Sequence, residues 1–236
     1  MAIAISNLGS LADATDLSTY TTPSVSPTAN AGILVGVYND GAATLPSAPT
    51  AGFAISGSWV QEATIVTANS NSRMTVFSAY ASSSPGSGTV AVSFGGTNQT
   101  GCIITVDQAT GVNATDFTNQ PATSAPAGSL TSTSITLPGA LLSSLDYIWA
   151  FIGHGANEDS NPSGSETELT PSPLAHATPN RGAISEYLAN SATAGASWTT
   201  SSVSIAAIGI EIVEASVSAI PTYRIPALVS RYGVYR

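Results

Sequence analysis

Short apolar segments separated by turn residues constrain the fold of this chain more than any other feature of its sequence. Residues 32–38 (GILVGVY), 73–80 and 203–213 combine β-branched or alternating apolar positions, which is the pattern of strands. The 14 prolines and 21 glycines lie mostly between such segments, where an all-β protein has its turns. Only single turns of helix are expected, within residues 6–16 and 141–145. The sequence therefore predicts an all-β fold, and the spacing of its strands is typical of a sandwich or a barrel.

Charge divides the 236-residue chain into a body and a C-terminal segment. Residues 1–223 carry 14 acids against two arginines, a net charge of −12, whereas residues 224–236 carry three arginines and no acid. We predict one β-sandwich domain over residues 1–214 and an extended basic and aromatic arm over residues 215–236 that docks on a partner. The alternative is a terminal strand or a frayed tail. The predicted partner-binding residues of the arm are Tyr223, Arg224, Arg231, Tyr232 and Tyr235.

Charge, hydropathy and cysteine content exclude several classes of protein. The formal net charge of −9 argues against nucleic-acid binding, which needs cations to neutralise phosphates. The apolar runs are shorter than the ~20 residues needed to cross a bilayer, so no membrane association is expected. A single cysteine, Cys102, leaves no partner for an intramolecular disulfide. The first residues lack a basic, apolar leader, so we expect the protein to fold in the cytoplasm where it is made.

Candidate nucleophiles and bases are few, and each has a structural alternative. His154 and His176, the two histidines, lie in the long polar loop 153–181, and no G-x-S-x-G motif accompanies them. Both are therefore expected to be structural. Cys102 lies in an apolar segment and is expected to be a small buried hydrophobe rather than a nucleophile. The sequence predicts no catalytic site.

Two pairs of acids are close in sequence, Glu166 with Glu168 and Glu211 with Glu214. Paired carboxylates can hydrolyse glycosides, but carboxylates two residues apart on a strand more often form a solvated face, which is the favoured interpretation. Residues 159–170 place oxygen-bearing side chains at alternate positions as calcium loops do, yet contain a proline and lack the final glutamate. No zinc or nucleotide motif is present, so no metal and no cofactor is predicted.

Exposed aromatic side chains would support carbohydrate binding by a sandwich. Trp149 lies in the apolar segment YIWAFI and Trp59 opens a strand, and at least two of the three tryptophans are expected in the core. Trp198 has small polar neighbours, which makes it the candidate for an exposed platform, although the core is the usual place for tryptophan. The loop 153–181 is the second candidate for glycan binding.

The order of several phrases carries a family resemblance. NAGILVGV, WVQEAT, RMTVFSAY and VSFGGTNQTGC follow one another, and TEL, SEYL, ASWTTSS and GIEI come later. This order resembles a group of β-sandwich domains in phage virion proteins and in bacterial proteins of prophage origin, over residues 17–214. The resemblance implies a jelly-roll-like sandwich on the particle surface, in a capsid decoration, fibre or tail protein. It brings no catalytic residues.

These observations together lead to an expected fold, an antiparallel two-sheet sandwich with jelly-roll-like connections, and to an expected function. We expect a non-enzymatic virion structural protein, most simply a capsid decoration (cement) protein of a bacteriophage. Its expected partners are the major capsid protein or other virion proteins and further copies of itself, with a trimer as the first guess. The alternative is a carbohydrate-binding module of a phage tail or fibre, and a glycoside hydrolase comes third.

Overall fold

A computed structural model describes residues 2–169 and 174–215, and those residues form strands and turns without a helix. The predicted all-β class is therefore confirmed. The strands are β1 (Ala4–Asp13), β2 (Thr19–Thr21), β3 (Gly32–Asp40), β4 (Thr50–Ala51), β5 (Ile55–Val66), β6 (Ser72–Ala81), β7 (Val90–Ser93), β8 (Gly101–Thr110), β9 (Thr118–Ser124), β10 (Leu130–Thr136), β11 (Tyr147–His154), β12 (Asn161–Pro162), β13 (Thr167–Glu168), β14 (Ala175–Ala177), β15 (Asn180–Ala189), β16 (Thr193–Ser202) and β17 (Ala206–Ile212). No helix in the described ranges is long and apolar enough to cross a membrane.

The helical turns expected near the N-terminus and at 141–145 are wrong. Most of residues 6–16 belong to β1, which pairs along β8 from Ala4 to Asp13. Residues 141–145 form turns between β10 and β11. At the N-terminus, pairing with a central strand satisfies the backbone of β1, so tertiary structure overrides the local preference for helix.

Within residues 2–169 and 174–215, the strands form four antiparallel sheets rather than the predicted two. Sheet I has the order β1-β8-β3-β6-β5, and sheet II has the order β2-β7-β4. Sheet III has the order β9-β17-β11-β15-β13, with β14 also paired to β15, and sheet IV has the order β10-β16-β12. The antiparallel sandwich is thus confirmed, and the number of its layers is corrected.

Three apolar clusters separate these sheets and show how they stack. On β3, Ile33 and Val35 pack with sheet II, whereas Leu34 and Tyr38 pack with sheet III. On β11, the Phe151 face packs with sheet I and the opposite face packs with sheet IV. The layer order is therefore II, I, III, IV. Strands buried on both faces carry continuous apolar runs, which is why period-two alternation cannot show how many layers there are.

The first and second halves of the chain have the same strand order. In the first half, one sheet orders its strands 1-8-3-6-5 and the other 2-7-4. In the second half, β9 to β13 count as strands 1 to 5, β14 is left out, and β15 to β17 count as strands 6 to 8. Sheet III then has the order 1-8-3-6-5, and sheet IV has the order 2-7-4. Sheets I and III, one from each half, face each other across the largest apolar cluster. The chain thus builds two sandwiches that are packed back to back along one seam.

Reciprocal contacts between aromatic rings and glycines close this seam. Phe151 of β11 lies against Gly36 of β3, where a Cβ would come within 2.7 Å of the ring. Tyr38 of β3 lies against Gly153 of β11, where a Cβ would come within 2.8 Å. Each strand therefore supplies one ring and one glycine, and the two sheets approach closely because neither glycine carries a side chain.

Candidate functional site

A cleft opens at one end of the seam, where the edge strand β5 of sheet I lies beside the edge strand β9 of sheet III. Its volume is about 330 Å³, which is at the lower end of the range for small-ligand sites. Each half supplies one wall. The side chains that line it include Val60, Glu62, Tyr80, Asp116, Asn119 and Gln120.

An aromatic pair forms the inner part of the cleft. The rings of Tyr80 and Phe117 meet edge to face, with centroids 4.9 Å apart and an interplanar angle of 68°. The Tyr80 hydroxyl donates a hydrogen bond to the carbonyl oxygen of Asn113. Burial raises the pKa of Tyr80 to about 12, so the hydroxyl keeps its proton at neutral pH. This pair gives the cleft a fixed apolar surface with the polar groups around it.

Two carboxylates make the cleft acidic. Oε1 of Glu62 accepts hydrogen bonds from the Thr118 hydroxyl at 2.8 Å and from the Ser78 hydroxyl, which ties β5 to β9. Asp116 is exposed on the loop that leads into β9. Among the described residues, those that line the cleft include no arginine, and the chain has no lysine. The cleft is therefore suited to a cationic or hydrogen-bond-donating group.

Hydrogen bonds to Glu211 fix the side-chain amides of Asn119 and Gln120 in one wall of the cleft. The Asn119 and Gln120 side-chain amides donate to Oε2 of Glu211 at 2.7 and 2.9 Å, and the Leu142 amide donates to Oε1 at 2.6 Å. Glu211 is fully buried. It therefore positions the wall and a neighbouring loop rather than facing a substrate with Glu214.

His154 is buried and is the last residue of β11, not part of a loop as the sequence predicted. Its Nδ1 accepts a hydrogen bond from the Ala156 amide at 3.3 Å, so Nε2 carries the proton toward the Ser160 hydroxyl at 2.8 Å. Burial lowers the pKa of His154 to about 4. Both His154 and Ser160 are buried, so this pair has no face open to a substrate. His176 is also buried, and burial lowers its pKa.

The candidate carbohydrate platform is not exposed. Trp198 is only 5% exposed, stacks on the His154 ring at 4.4 Å and donates its indole N–H to the Leu130 carbonyl at 3.1 Å. The side chain lies on the inward face of β16, so its small polar neighbours did not indicate exposure. Trp149 is fully buried as expected, and Trp59 packs against the core between sheets I and II.

Cys102 is buried, as the apolar segment around it predicted. Burial raises the pKa of its thiol well above the ordinary value, so the nucleophilic thiolate is disfavoured. Cys102 packs between sheets I and II with Ile104 and Val92.

A second acidic group, found on β13 and β15, was not anticipated as a whole. Glu186 is buried, and neither of its carboxylate oxygens has a hydrogen-bond partner in the described structure. Its strand neighbour is Glu168, and Glu166 accepts a hydrogen bond from the Gly195 amide at 3.1 Å nearby. Burial and the charges of Glu166 and Glu168 raise the pKa of Glu186 to about 9. The expected solvated face is therefore wrong, since Glu166 and Glu168 are half-buried.

The calcium-loop interpretation gains no support from this acidic group. In the described ranges, no three His, Cys, Asp or Glu side chains are grouped so that they could hold a metal ion. The last position of the candidate loop, residue 170, lies outside those ranges.

The predicted partner-binding residues Tyr223, Arg224, Arg231, Tyr232 and Tyr235 lie outside the described residues. Of the predicted arm, only Ala215 is described, and its amide donates to the Gly111 carbonyl at 2.9 Å. The cleft was missed by sequence reasoning because Glu62 and Asp116 are far apart in the chain. The only sequence signal near it is the polar stretch 111–128, whose composition predicts a long loop of the kind that is functional or poorly ordered. The structure corrects this prediction, because Thr118–Ser124 form β9.

Comparisons of the chain with protein-family models, curated proteins and solved structures give no match. The resemblance to virion sandwich domains therefore stays a prediction.

Proposed function

We propose that this protein is a non-enzymatic structural protein of a virion, most simply a capsid decoration (cement) protein that stabilises the particle by binding neighbouring subunits. The observation that carries the proposal is the repeated strand order of the two halves. In each half the first strand pairs with the last, and the strands divide between two packed sheets, so we take each half to be a jelly roll. Jelly rolls are typical of viral capsid and lectin domains.

The packing of the two halves supports a mechanical role. Sheets I and III are each buried on both faces, and apolar side chains fill all three gaps between the four sheets. Protein interiors packed in this way deform little. A rigid block that buries surface only in the assembled particle stabilises that particle by mass action. The major capsid protein or another virion protein is the proposed partner.

The test uses the particle itself. Virions purified by density gradient should contain the chain in a fixed ratio to the major capsid protein. Virions made without the gene should show a lower particle melting temperature, and adding the purified chain should restore it. A chain found only in the soluble fraction, or particles equally stable without it, would refute the proposal.

The cleft favours a second candidate, a carbohydrate-binding module of a tail or fibre. Its carboxylates, amides and the edge of Tyr80 are the kinds of group that bind sugar hydroxyls and sugar rings. A glycan array with the wild type and Glu62→Gln tests this candidate: a glycan bound by the wild type and lost in the variant would support it. Release of reducing sugar from such a glycan would instead indicate a glycoside hydrolase.

A further inference from the structure

We infer that the cleft between β5 and β9 binds the basic C-terminal segment, residues 216–236, of a second copy of this chain. This inference rests on the proposed binding of neighbouring subunits and on the self-association expected from the sequence, and it names the surface and the segment that would mediate that self-association.

The cleft and the segment carry opposite charges, which favours binding between them. Glu62 and Asp116 line the cleft, and no arginine of the described residues lines it with them. The segment carries three of the five arginines in the chain and no acid. An arginine guanidinium bonds carboxylates through paired, charge-assisted hydrogen bonds, and its planar shape suits a narrow cleft. The segment is therefore the natural source of a cation for this site.

The cleft and the segment also both carry apolar side chains, which favours contact between them. The Val60 side chain is 54% exposed at the cleft, beside the half-buried ring of Tyr80. The segment contains three tyrosines and the apolar run Ala227-Leu228-Val229 in addition to its arginines. Tyrosine and arginine are the residue types enriched at the centres of protein interfaces. A cleft lined by both apolar and acidic side chains matches that composition.

The direction of the chain after its last described strand favours binding of the segment to the cleft of a second copy over binding to its own cleft. The Asn113 amide donates to the Val213 carbonyl at 3.0 Å, and the Ala215 amide donates to the Gly111 carbonyl at 2.9 Å. This pairing is antiparallel, so the chain moves away from Thr115, where the cleft begins, as it passes from residue 213 to 215. Entry into its own cleft would require a reversal, whereas entry into a neighbour's cleft would not.

The length of the segment is sufficient for such an exchange. Twenty-one residues span up to about 70 Å when extended, and the two prolines of the segment disfavour helix. Because the segment of one copy enters the cleft of the next, the contact is head-to-tail, and it closes into a ring when the rotation between copies permits. The trimer expected from the sequence is one such ring.

The experiment measures mass in solution by size-exclusion chromatography with light scattering on the full chain. The cleft variant is Glu62→Gln with Asp116→Asn, and the segment variant is Arg224→Gln, Arg231→Gln and Arg236→Gln. Asp16→Asn, an exposed acid in another part of the body, is the matched control. We expect an oligomer for the wild type and the control, and the 23.6 kDa monomer for the cleft and segment variants. Glutamine keeps the Oε1 acceptor of residue 62, and residue 116 is exposed, so melting curves should show that both variants stay folded.

A mixture of the two variants provides the sharper result. The intact segment of the cleft variant can enter the intact cleft of the segment variant, so an equimolar mixture should form a complex of twice the monomer mass. A wild type that is monomeric at every concentration, a cleft variant that keeps the wild-type mass, or a mixture that stays monomeric would each overturn the inference. None of these measurements needs a particle. Failure of the virion proposal therefore leaves them interpretable.

Discussion

Loss of the Arg181 guanidinium should loosen the seam between the two halves of the protein. Arg181 lies on β15 in the second half, and its Nη2 pairs with the Asp40 carboxylate of β3 in the first half. Its Nη2 and Nε also donate to the Ser72 hydroxyl at 2.9 and 3.2 Å. Arg181, Asp40 and Ser72 are all buried. Arg181→Met removes these bonds to the first half and leaves the Asp40 carboxylate without its cation.

The expected cost follows from that geometry. After the change, Asp40 keeps only the Ser72 hydroxyl on Oδ1 and the Thr100 hydroxyl, at 3.2 Å, on Oδ2. Removing one member of a buried ion pair typically costs about 3–5 kcal/mol, because the remaining charge is buried without compensation. For a chain of this size the melting temperature should fall by about 6–20 °C. Arg181→Lys, which keeps the charge but not the planar fork, should cost less.

Chemical denaturation of four proteins measures the effect: the wild type, Arg181→Met, Asp40→Asn and the double variant. The double variant should lose less unfolding free energy than the two single variants lose together, with a coupling free energy of about 1–3 kcal/mol. Arg73→Met is the matched control, because Arg73 donates to Ala43 and Thr64 within its own half. A loss below about 1 kcal/mol for Arg181→Met, or additivity in the double variant, would refute the reasoning that this pair holds the halves together.

Three further changes test other parts of the structure. Because the pKa of Glu186 is raised from 4.5 to about 9, the folded state holds a proton that the unfolded state loses, so the contribution of this group to stability should be fully present below pH 4.5 and be lost as the pH rises toward 9. Glu186→Gln should flatten this pH dependence in urea titrations at pH 5, 7 and 9. Phe151→Ala should cost about 3–5 kcal/mol by opening a cavity in the seam, whereas Leu142→Ala, at a side chain 69% exposed, should change stability by less than about 0.5 kcal/mol. Iodoacetamide should label Cys102 only after unfolding, and rapid labelling of the native protein would contradict its burial.

The strands were easier to predict from the sequence than their arrangement. The segment GILVGVY indicates β3 without ambiguity, and it is buried along its whole length. The same continuous apolar run hides the fact that Ile33 and Leu34 face different neighbouring sheets. The repeat of the two halves is equally hidden, because matching strands need only apolar side chains of suitable volume and not the same letters.

The sites were hidden for a related reason. Trp198 follows small polar residues, as an exposed aromatic could, yet its ring fills the space beside His154. Glu186 stands in a strand of mixed character, and only the fold shows that it faces Glu166 and Glu168. Glu62 and Asp116 meet in one cleft because sheets I and III pack together. Such groupings depend on contacts between distant parts of the chain, which local pattern does not encode.

The cleft and the seam are physically linked, so a change at the seam should affect binding in the cleft. One wall of the cleft comes from the first half and the other from the second, and the hydrogen bond from Thr118 to Glu62 at 2.8 Å joins them. A segment that binds across both walls therefore binds only when the halves are docked. By mass action, such a segment stabilises the docked arrangement, and a weakened seam lowers its affinity. Arg181→Met should thus reduce self-association at temperatures below its own melting transition, although Arg181 does not line the cleft.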